Sequence, residues 1–253
     1  MSFLVNADDF GKNENVTGAV LEAFERGYIN FTTLMTNMPY AQTAAHLAFE
    51  KGVENNIGLH LNITEGEPLS EGIKSNPLIC SSDGRFNAAF YHNLKYRLYM
   101  DELTITQIME EFRAQIDKFL SFGFTALHID SHHHVHTNYP VYVALKRLSV
   151  DHHFDYIRLS RNMYHGGNIL NRIYKKLYNR DIVKICERTC DLFGSYQDLL
   201  SYIDNDKEKL SELLKSRSAE IMVHPDRDDN GVLIDRGQVV IPMDEEWAIQ
   251  CID

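Results

Sequence analysis

Short apolar runs alternate along this chain with longer stretches in which apolar residues recur every three or four positions. "FLVNAD" (3 to 8), "FTTLMTNM" (31 to 38), "NIGLHLN" (56 to 62), "ALHIDSH" (126 to 132), "YIRLS" (156 to 160) and "AEIMVHPD" (219 to 226) have the length and composition of strands, with "CDLFGS" (190 to 195) a weaker seventh. Between them, "ENVTGAVLEAFERG", "AQTAAHLAFEKG", "ITQIMEEFRAQIDKFLSFG", "YPVYVALKRLSVDHH" and "DKEKLSELLKSR" carry apolar residues at helical spacing, and the first three end in glycine, a common helix stop. Such alternation predicts parallel βαβ units and an α/β fold. Residues 63 to 103 and 161 to 189 interrupt the rhythm with long excursions. Each follows a strand, so each is expected at the strand C-terminal face, where barrel enzymes place their active sites.

Polar residues within the apolar runs change the picture from fold to chemistry. Asp8 and Asp9 end the first run, His60 stands near the end of the third, His128, Asp130 and His132 lie in the fourth, and His224 ends the last. All are expected at or beside C-terminal strand ends, where an unpartnered carboxylate or imidazole costs several kcal/mol, roughly the scale of unsatisfied polar burial. Five of the twelve histidines fall within "HIDSHHHVH", at 128 to 136, mid-chain and unlike a terminal tag. Period two puts His128, Asp130 and His132 on one strand face, with His132 best placed to meet neighbouring strand ends. His133, His134 and His136 fall in the following turn, lining a cleft or solvated. The surface reading is preferred for His133, His153, His46, His92, His152 and His165.

One carboxylate and two neutral imidazoles from three strand ends form a common catalytic shell for a divalent metal, with positions left open for water and substrate. A second, adjacent carboxylate then need not bind the ion and can take a proton from water. A polar network at a barrel mouth, holding no metal, is the plainer alternative.

Composition bounds these readings. With 253 residues, 44% hydrophobic and 24% charged, the chain suits one globular domain over 1–253. The net charge of -11 argues against a nucleic-acid partner. No uncharged apolar stretch approaches the roughly 18 residues of a membrane span, and "MSFLVNADDFG" has neither a basic leader nor a long apolar core, so a cytosolic protein is expected. Cys80, Cys186, Cys190 and Cys251 are scattered. Only Cys186 and Cys190 are close, at a spacing that suits one helix face, and ordinary thiols are expected in place of a thiolate metal site.

Taken in order, "NADDFG" (6 to 11), "GLHLN" (58 to 62), "TEGEPL" (64 to 69), "HIDSHHHVH" (128 to 136) and "VHP" (223 to 225) resemble the YdjC-like carbohydrate deacetylase family, which includes the chito-oligosaccharide deacetylases. The resemblance implies a distorted (β/α) barrel that removes acetyl groups from N-acetylated sugars through a metal-bound water. By motif position it also implies Asp9, His60 and His132 as metal ligands, Asp8 as general base, and His224 as the histidine that assists the leaving amine. Beyond "VHPD" the segment 227–253 lacks the Arg-x-x-Glu-Leu stretch common in the family, so this last segment is atypical.

The expected cofactor is one divalent cation, with Zn²⁺ suited to these ligands and Mg²⁺, Mn²⁺ or Co²⁺ compatible with them. Asp130 is expected to support the site without ligating the ion, and to raise the pKa of His224 if it lies near. Arg158 is expected to orient Asp8 or substrate, or to form a structural salt bridge. Phe86, Phe90, Tyr91 and Tyr164 are aromatic candidates for sugar contacts or for loop anchors. The expected partner is an acetylated amino sugar; a homo-oligomer is compatible with the sequence. Two other classes fit less well: another metal-dependent barrel hydrolase such as a phosphoesterase, which the scarcity of cationic residues disfavours, and a noncatalytic sugar- or metal-binding protein, for which a spare carboxylate has no use.

Overall fold

The structure is a computed structural model and describes residues 3–163, 168–235 and 238–239. Its frame is a sheet of seven parallel strands: β1 (Phe3–Phe10), β2 (Phe31–Leu34), β3 (Ile57–Leu61), β4 (His128–Ser131), β5 (Tyr156–Ile157), β6 (Leu192–Ser195) and β7 (Ala219–Val223), in the order β5-β4-β3-β2-β1-β7-β6. The sheet curls into a distorted (β/α) barrel. All seven expected strands are present, including the weak one at 190 to 195. Their apolar character follows from burial on both faces, since every residue of β3 and of β7 is buried.

The helices are α1 (Glu14–Glu25), α2 (Ala41–Glu50), α3 (Glu71–Lys74), α4 (Leu94–Leu98), α5 (Glu102–Ser121), α6 (Tyr139–Leu148), α7 (Ile169–Ile182) and α8 (Tyr196–Ser216). Their starts have local chemical causes. The side chain of Asn13 accepts a hydrogen bond from Val16 N, that of Asp101 from Thr104 N, and Ser195 and Asp198 form a reciprocal capping box. The predicted helix beginning at Asp206 is the second half of α8, which is broken by an extended residue there. Its first half and α7 were not expected from the pattern. Among the described residues no helix is long and apolar enough to cross a membrane.

The excursion after β3 is folded down onto the barrel, with Ile73, Ile79, Phe86 and Phe90 all buried in the main core. Phe86 and Phe90 are therefore anchors, not sugar platforms. After β7 the chain turns into a small antiparallel sheet of β8 (Pro225–Arg227), β9 (Leu233–Asp235) and β10 (Gln238–Val239), so the atypical end begins as a hairpin beside the C-terminal mouth. Tyr164, His165, Cys251 and residues 240–253 lie outside the described residues. Cys80, Cys186 and Cys190 are free thiols, and Cys186 and Cys190 follow α7 in non-helical chain, contrary to the shared helix face expected of them.

Candidate active site

The C-terminal mouth holds a cleft of about 330 Å³ lined by Asp8, Asp9, Lys12, His132, His133 and His224 among others. A larger cavity, about 650 Å³, opens at the opposite mouth, around the first residues of several strands. The smaller one holds the contact of Asp9 with His132 and the approach of His224 to Asp8.

Asp8 and Asp9 reach one site because β1 is irregular where they sit. Its register against β2 shifts between Ala7 and Phe10, and Asp9 takes φ 69°. Gly11, just past the pair, adopts φ 81°, but the bend starts at Asp9 itself. Aspartate is one of the few residues that enter this left-handed region readily. His133 and His134, at φ 53° and 54°, are the other non-glycine residues with positive φ among those described. Asp9 and His133 line the cleft, and backbone strain of this kind, on the order of 1 kcal/mol or more each, persists where surrounding structure enforces it.

The imidazoles converge on one oxygen. Asp9 Oδ1 is 2.8 Å from His132 Nδ1 and 3.2 Å from His60 Nε2. The other nitrogen of His60 lies 2.7 Å from Asp130 Oδ1, and that of His132 lies 3.1 Å from Glu65 Oε2. His132 opens a tight turn (His132–Thr137) past β4 in place of ending the strand as expected. Asp130 is 0% exposed and also meets Arg158 Nη2 at 2.8 Å, so it supports His60 from below.

Asp8 is held differently. Both its oxygens accept from the guanidinium of Arg158, at 2.7 and 2.8 Å, and Asn6 Nδ2 donates to Oδ1 at 2.8 Å. Arg158 is itself fully buried, pairs through Nε with Glu220, and lies 4.8 Å from the Phe193 ring centroid. Burial would raise the Asp8 pKa, but Arg158 outweighs it and holds the carboxyl well below the usual range. For His60, burial is likewise opposed and overcome, here by Asp130, Asp9 and Asp8, and its pKa is pushed up to about 10. The site therefore carries excess negative charge and draws positive charge onto its imidazoles.

His224 Nε2 stands 3.8 Å from Asp8 Oδ2, and its Nδ1 4.0 Å from Asp235 Oδ1. Asp235 Oδ1 also accepts from the backbone N–H of His224, at 2.7 Å, so the terminal hairpin orients this histidine. Asp8 and Asp235 thus stand beside His224, while Asp130 is engaged with His60 and Arg158.

Other histidines separate clearly. His128 was expected near the C-terminal ends, but it opens β4 at the far mouth, with ring centroids 4.2 Å from Phe31 and 3.9 Å from Tyr156. His136 is buried, with Nδ1 2.6 Å from Ser131 Oγ and Nε2 3.1 Å from the carbonyl of Arg158. His133 is exposed as expected yet lines the cleft and stacks on Tyr91, centroids 5.2 Å apart. His46, His92 and His153 are exposed, and His152 is half-buried. Sequence reading missed Asn6, Glu65 and Glu220. Asn6 and Glu220 were visible as polar residues inside apolar strands, whereas nothing in "TEGEPL" marked Glu65 as a partner of His132.

Three groups among the described residues bring ligand atoms within 4.8 Å of one another: Asp9, His60 and His132; Asp8, His60 and Asp130; and the surface set His153, Asp155 and Glu187. In the second, the Arg158 guanidinium already occupies the carboxylates. The first fits a divalent cation. His60 Nε2 is buried without an aligned hydrogen bond, and its Nδ1 is anchored on a carboxylate, the arrangement that orients metal-binding imidazoles.

The family of YdjC-like proteins matches residues 2–249. This chain belongs to it. Among its relatives in that family, a carbohydrate deacetylase of Clostridium beijerinckii is 30% identical over 236 residues, 92% of this chain and 84% of that protein. One from Thermoanaerobacter pseudethanolicus is 28% identical over 248 residues, 91% and 96% of the two chains. A solved structure from Enterococcus faecalis, described as a candidate cellobiose-phosphate cleavage protein, superposes with a TM-score of 0.68 at 25% identity, covering 99% of this chain and 93% of that one.

Proposed function

We propose that this YdjC-like protein hydrolyses the acetamide of N-acetylated amino sugars or their oligosaccharides, with a divalent cation held by Asp9, His60 and His132. The observation that carries the reading is the convergence of these three side chains beside a second, separately held carboxylate, Asp8. The carbohydrate deacetylases among its relatives support the same activity.

When bound there, a divalent cation supplies Lewis acidity toward the acetyl carbonyl and toward water. Zn²⁺ suits two imidazoles and a carboxylate, and Mg²⁺, Mn²⁺ and Co²⁺ accept the same donors. Asp8 takes the proton of the attacking water. Arg158 keeps Asp8 ionised and fixed in direction, at the expense of basicity. His224 gives a proton to the departing amine, from a position set by Asp235. Its Nε2 stands 3.8 Å from Asp8 Oδ2, which supports a base and an acid acting side by side.

A phosphoesterase on the same frame is disfavoured by charge. The lysine lining the cleft, Lys12, is already paired with Glu65 at 2.7 Å. The remaining parts of the reading are one domain spanning 1–253, a cytoplasmic setting, and no nucleic-acid partner for so acidic a chain. The test is acetate release from N-acetylglucosamine and its oligomers, with and without chelator. Acetate and free amine are expected in equal amounts, abolished by chelator and restored by added Zn²⁺. Acetate release that ignores chelator would refute the metal role, and phosphate release without acetate from a phosphorylated N-acetylglucosamine, assayed beside them, would refute the amide.

A further inference from the structure

We propose that Glu65 is a positioning residue for His132, fixing the proton on Nε2 so that Nδ1 presents its lone pair to the cation. The inference rests on the metal site proposed above and adds a member to it.

Each imidazole of the site spans two carboxylates. His60 has Asp130 at Nδ1, 2.7 Å away, and Asp9 Oδ1 at Nε2, 3.2 Å away. His132 has Glu65 at Nε2, 3.1 Å away, and the same Asp9 oxygen at Nδ1, 2.8 Å away. The shared oxygen marks the point where both rings turn their ligating edge. The outer carboxylates, which only accept hydrogen bonds when ionised, then dictate where each neutral ring keeps its proton. Asp130 draws it to Nδ1 of His60, and Glu65 draws it to Nε2 of His132. The two ligands thus approach with opposite nitrogens. Turning the His132 ring over would present carbon to both carboxylates, so the orientation is specified by this pair.

The chain around Glu65 is built to aim it. Its N–H donates to Asn62 Oδ1 at 3.1 Å, and its carbonyl accepts from Asn62 Nδ2 at 2.7 Å and Asn37 Nδ2 at 3.0 Å. Gly66 follows at φ 79°, where a Cβ would come within 2.8 Å of Met38 Sδ. Lys12 Nζ meets Glu65 Oε2 at 2.7 Å and Asp9 Oδ2 at 4.0 Å, tying the two carboxylates that flank His132. A surface ion pair would need only Lys12 and Glu65. This one also terminates on an imidazole that is 5% exposed.

The test titrates Zn²⁺ into the ion-free wild type, Glu65→Gln and Glu65→Ala against a chromophoric chelator, with melting curves to establish folding. ¹⁵N-histidine NMR of the loaded protein reads which His132 nitrogen carries hydrogen. Glu65→Ala is expected to weaken Zn²⁺ binding about 10- to 100-fold, the usual cost of losing an outer partner of a metal-bound histidine. Glu65→Gln should retain most of the affinity, because its side-chain carbonyl still accepts from Nε2–H, and His132 should show a protonated Nε2 in the loaded wild type. Wild-type affinity in Glu65→Ala, or coordination through Nε2, overturns the proposal. Equal and near-complete loss in Gln and Ala makes Glu65 a direct ligand and overturns it too. A wild type that binds no Zn²⁺ brings down the metal site itself, an outcome distinct from either of these.

Discussion

Arg158→Met removes the one cation that Asp8, Asp130 and Glu220 share. The methionine keeps much of the stem's volume, so the perturbation is electrostatic: the carboxylates lose their contacts at 2.6 to 2.8 Å in a fully buried setting. Breaking a buried ion pair by deleting one partner costs about 3 to 5 kcal/mol, because the remaining charge stays desolvated. The unfolding entropy near the midpoint, at about 2.1 cal/mol/K per residue, gives roughly 0.5 kcal/mol/K for this chain, so about 4 kcal/mol corresponds to a Tm lowered by about 8 °C. Protonation of Glu220, whose pKa burial already raises, relieves part of that cost. Glu220→Gln in the same background should therefore recover some stability, with a coupling of about 0.5 to 3 kcal/mol in the double-mutant cycle. Thermal melts of the four proteins give the cycle. The acid limb of the kcat/KM profile should also move to higher pH in Arg158→Met, because a base freed from Arg158 must lose its proton at higher pH. A melt within about 2 °C of wild type, with an unmoved acid limb, would show that Arg158 neither stabilises the barrel mouth nor governs Asp8.

The paired aspartates should separate by role. Asp9→Asn, a residue that tolerates the same positive φ, is expected to keep the fold and lose divalent-cation affinity in calorimetry, whereas Asp8→Asn keeps the cation and loses about 10²-fold or more in kcat; the reverse result would exchange the two assignments. Asp130→Asn should keep most bound cation but weaken it about 10- to 100-fold as His60 loses its anchor, and complete loss in the same titration would make Asp130 a ligand. His136 supplies a pH dependence: burial first, then Arg158, push it down to about 3, so it stays neutral in the fold while the unfolded chain takes its proton near 6.5. Its contribution is complete above about pH 6.5 and is lost toward pH 3, with a slope near 1.4 kcal/mol per pH unit. His60 and His132, shifted upward, act in the opposite sense and mainly above pH 6.5, where their contribution grows as pH falls toward that value, so the measurement is the difference in denaturation free energy between wild type and His136→Gln. That difference should shrink from pH 7 to pH 5; a constant difference would refute the assignment.

The resemblance supplied the barrel, but the alternation of apolar runs was enough to read parallel βαβ units, because burial on both faces leaves parallel strands few polar positions. That same scarcity made Asp8, Asp9, His60 and His224 conspicuous. It hid α7, whose exposed Ile169, Leu170, Ile173 and Leu177 give no clean inward stripe, and whose buried residues are Tyr178 and Ile182. Spacing also misjudged His128. Period two gives the face of a strand but not the height along the barrel, and β4 begins where the sequence reading already expected its active half. Nor could spacing reveal that Asp9 turns through its own backbone, since nothing but the fold around β1 enforces φ 69° on a residue that only tolerates it.

Charge explains why these particular departures cluster. Asp8, Asp9, Asp130 and Glu65 meet near the C-terminal mouth, with Glu220 deeper in the barrel, against Arg158 and Lys12, an excess of acid that a purely structural core would avoid. Arg158 contacts all three carboxylates of the lower layer, Asp8, Asp130 and Glu220, and the charge it leaves over is offset in part by His60 and by the raised pKa of Glu220. In the upper layer Asp9 and the two imidazoles have Lys12 only at 4.0 Å, on the rim. The carboxylates around them shift His60 and His132 upward although burial opposes it. A divalent ion at Asp9 would displace protons from both rings and return them to the neutral form that ligation requires, so its binding should release protons to the solvent. On the proposed reading, a lower layer braced by Arg158 and an upper one that takes the cation would let two adjacent aspartates serve different ends.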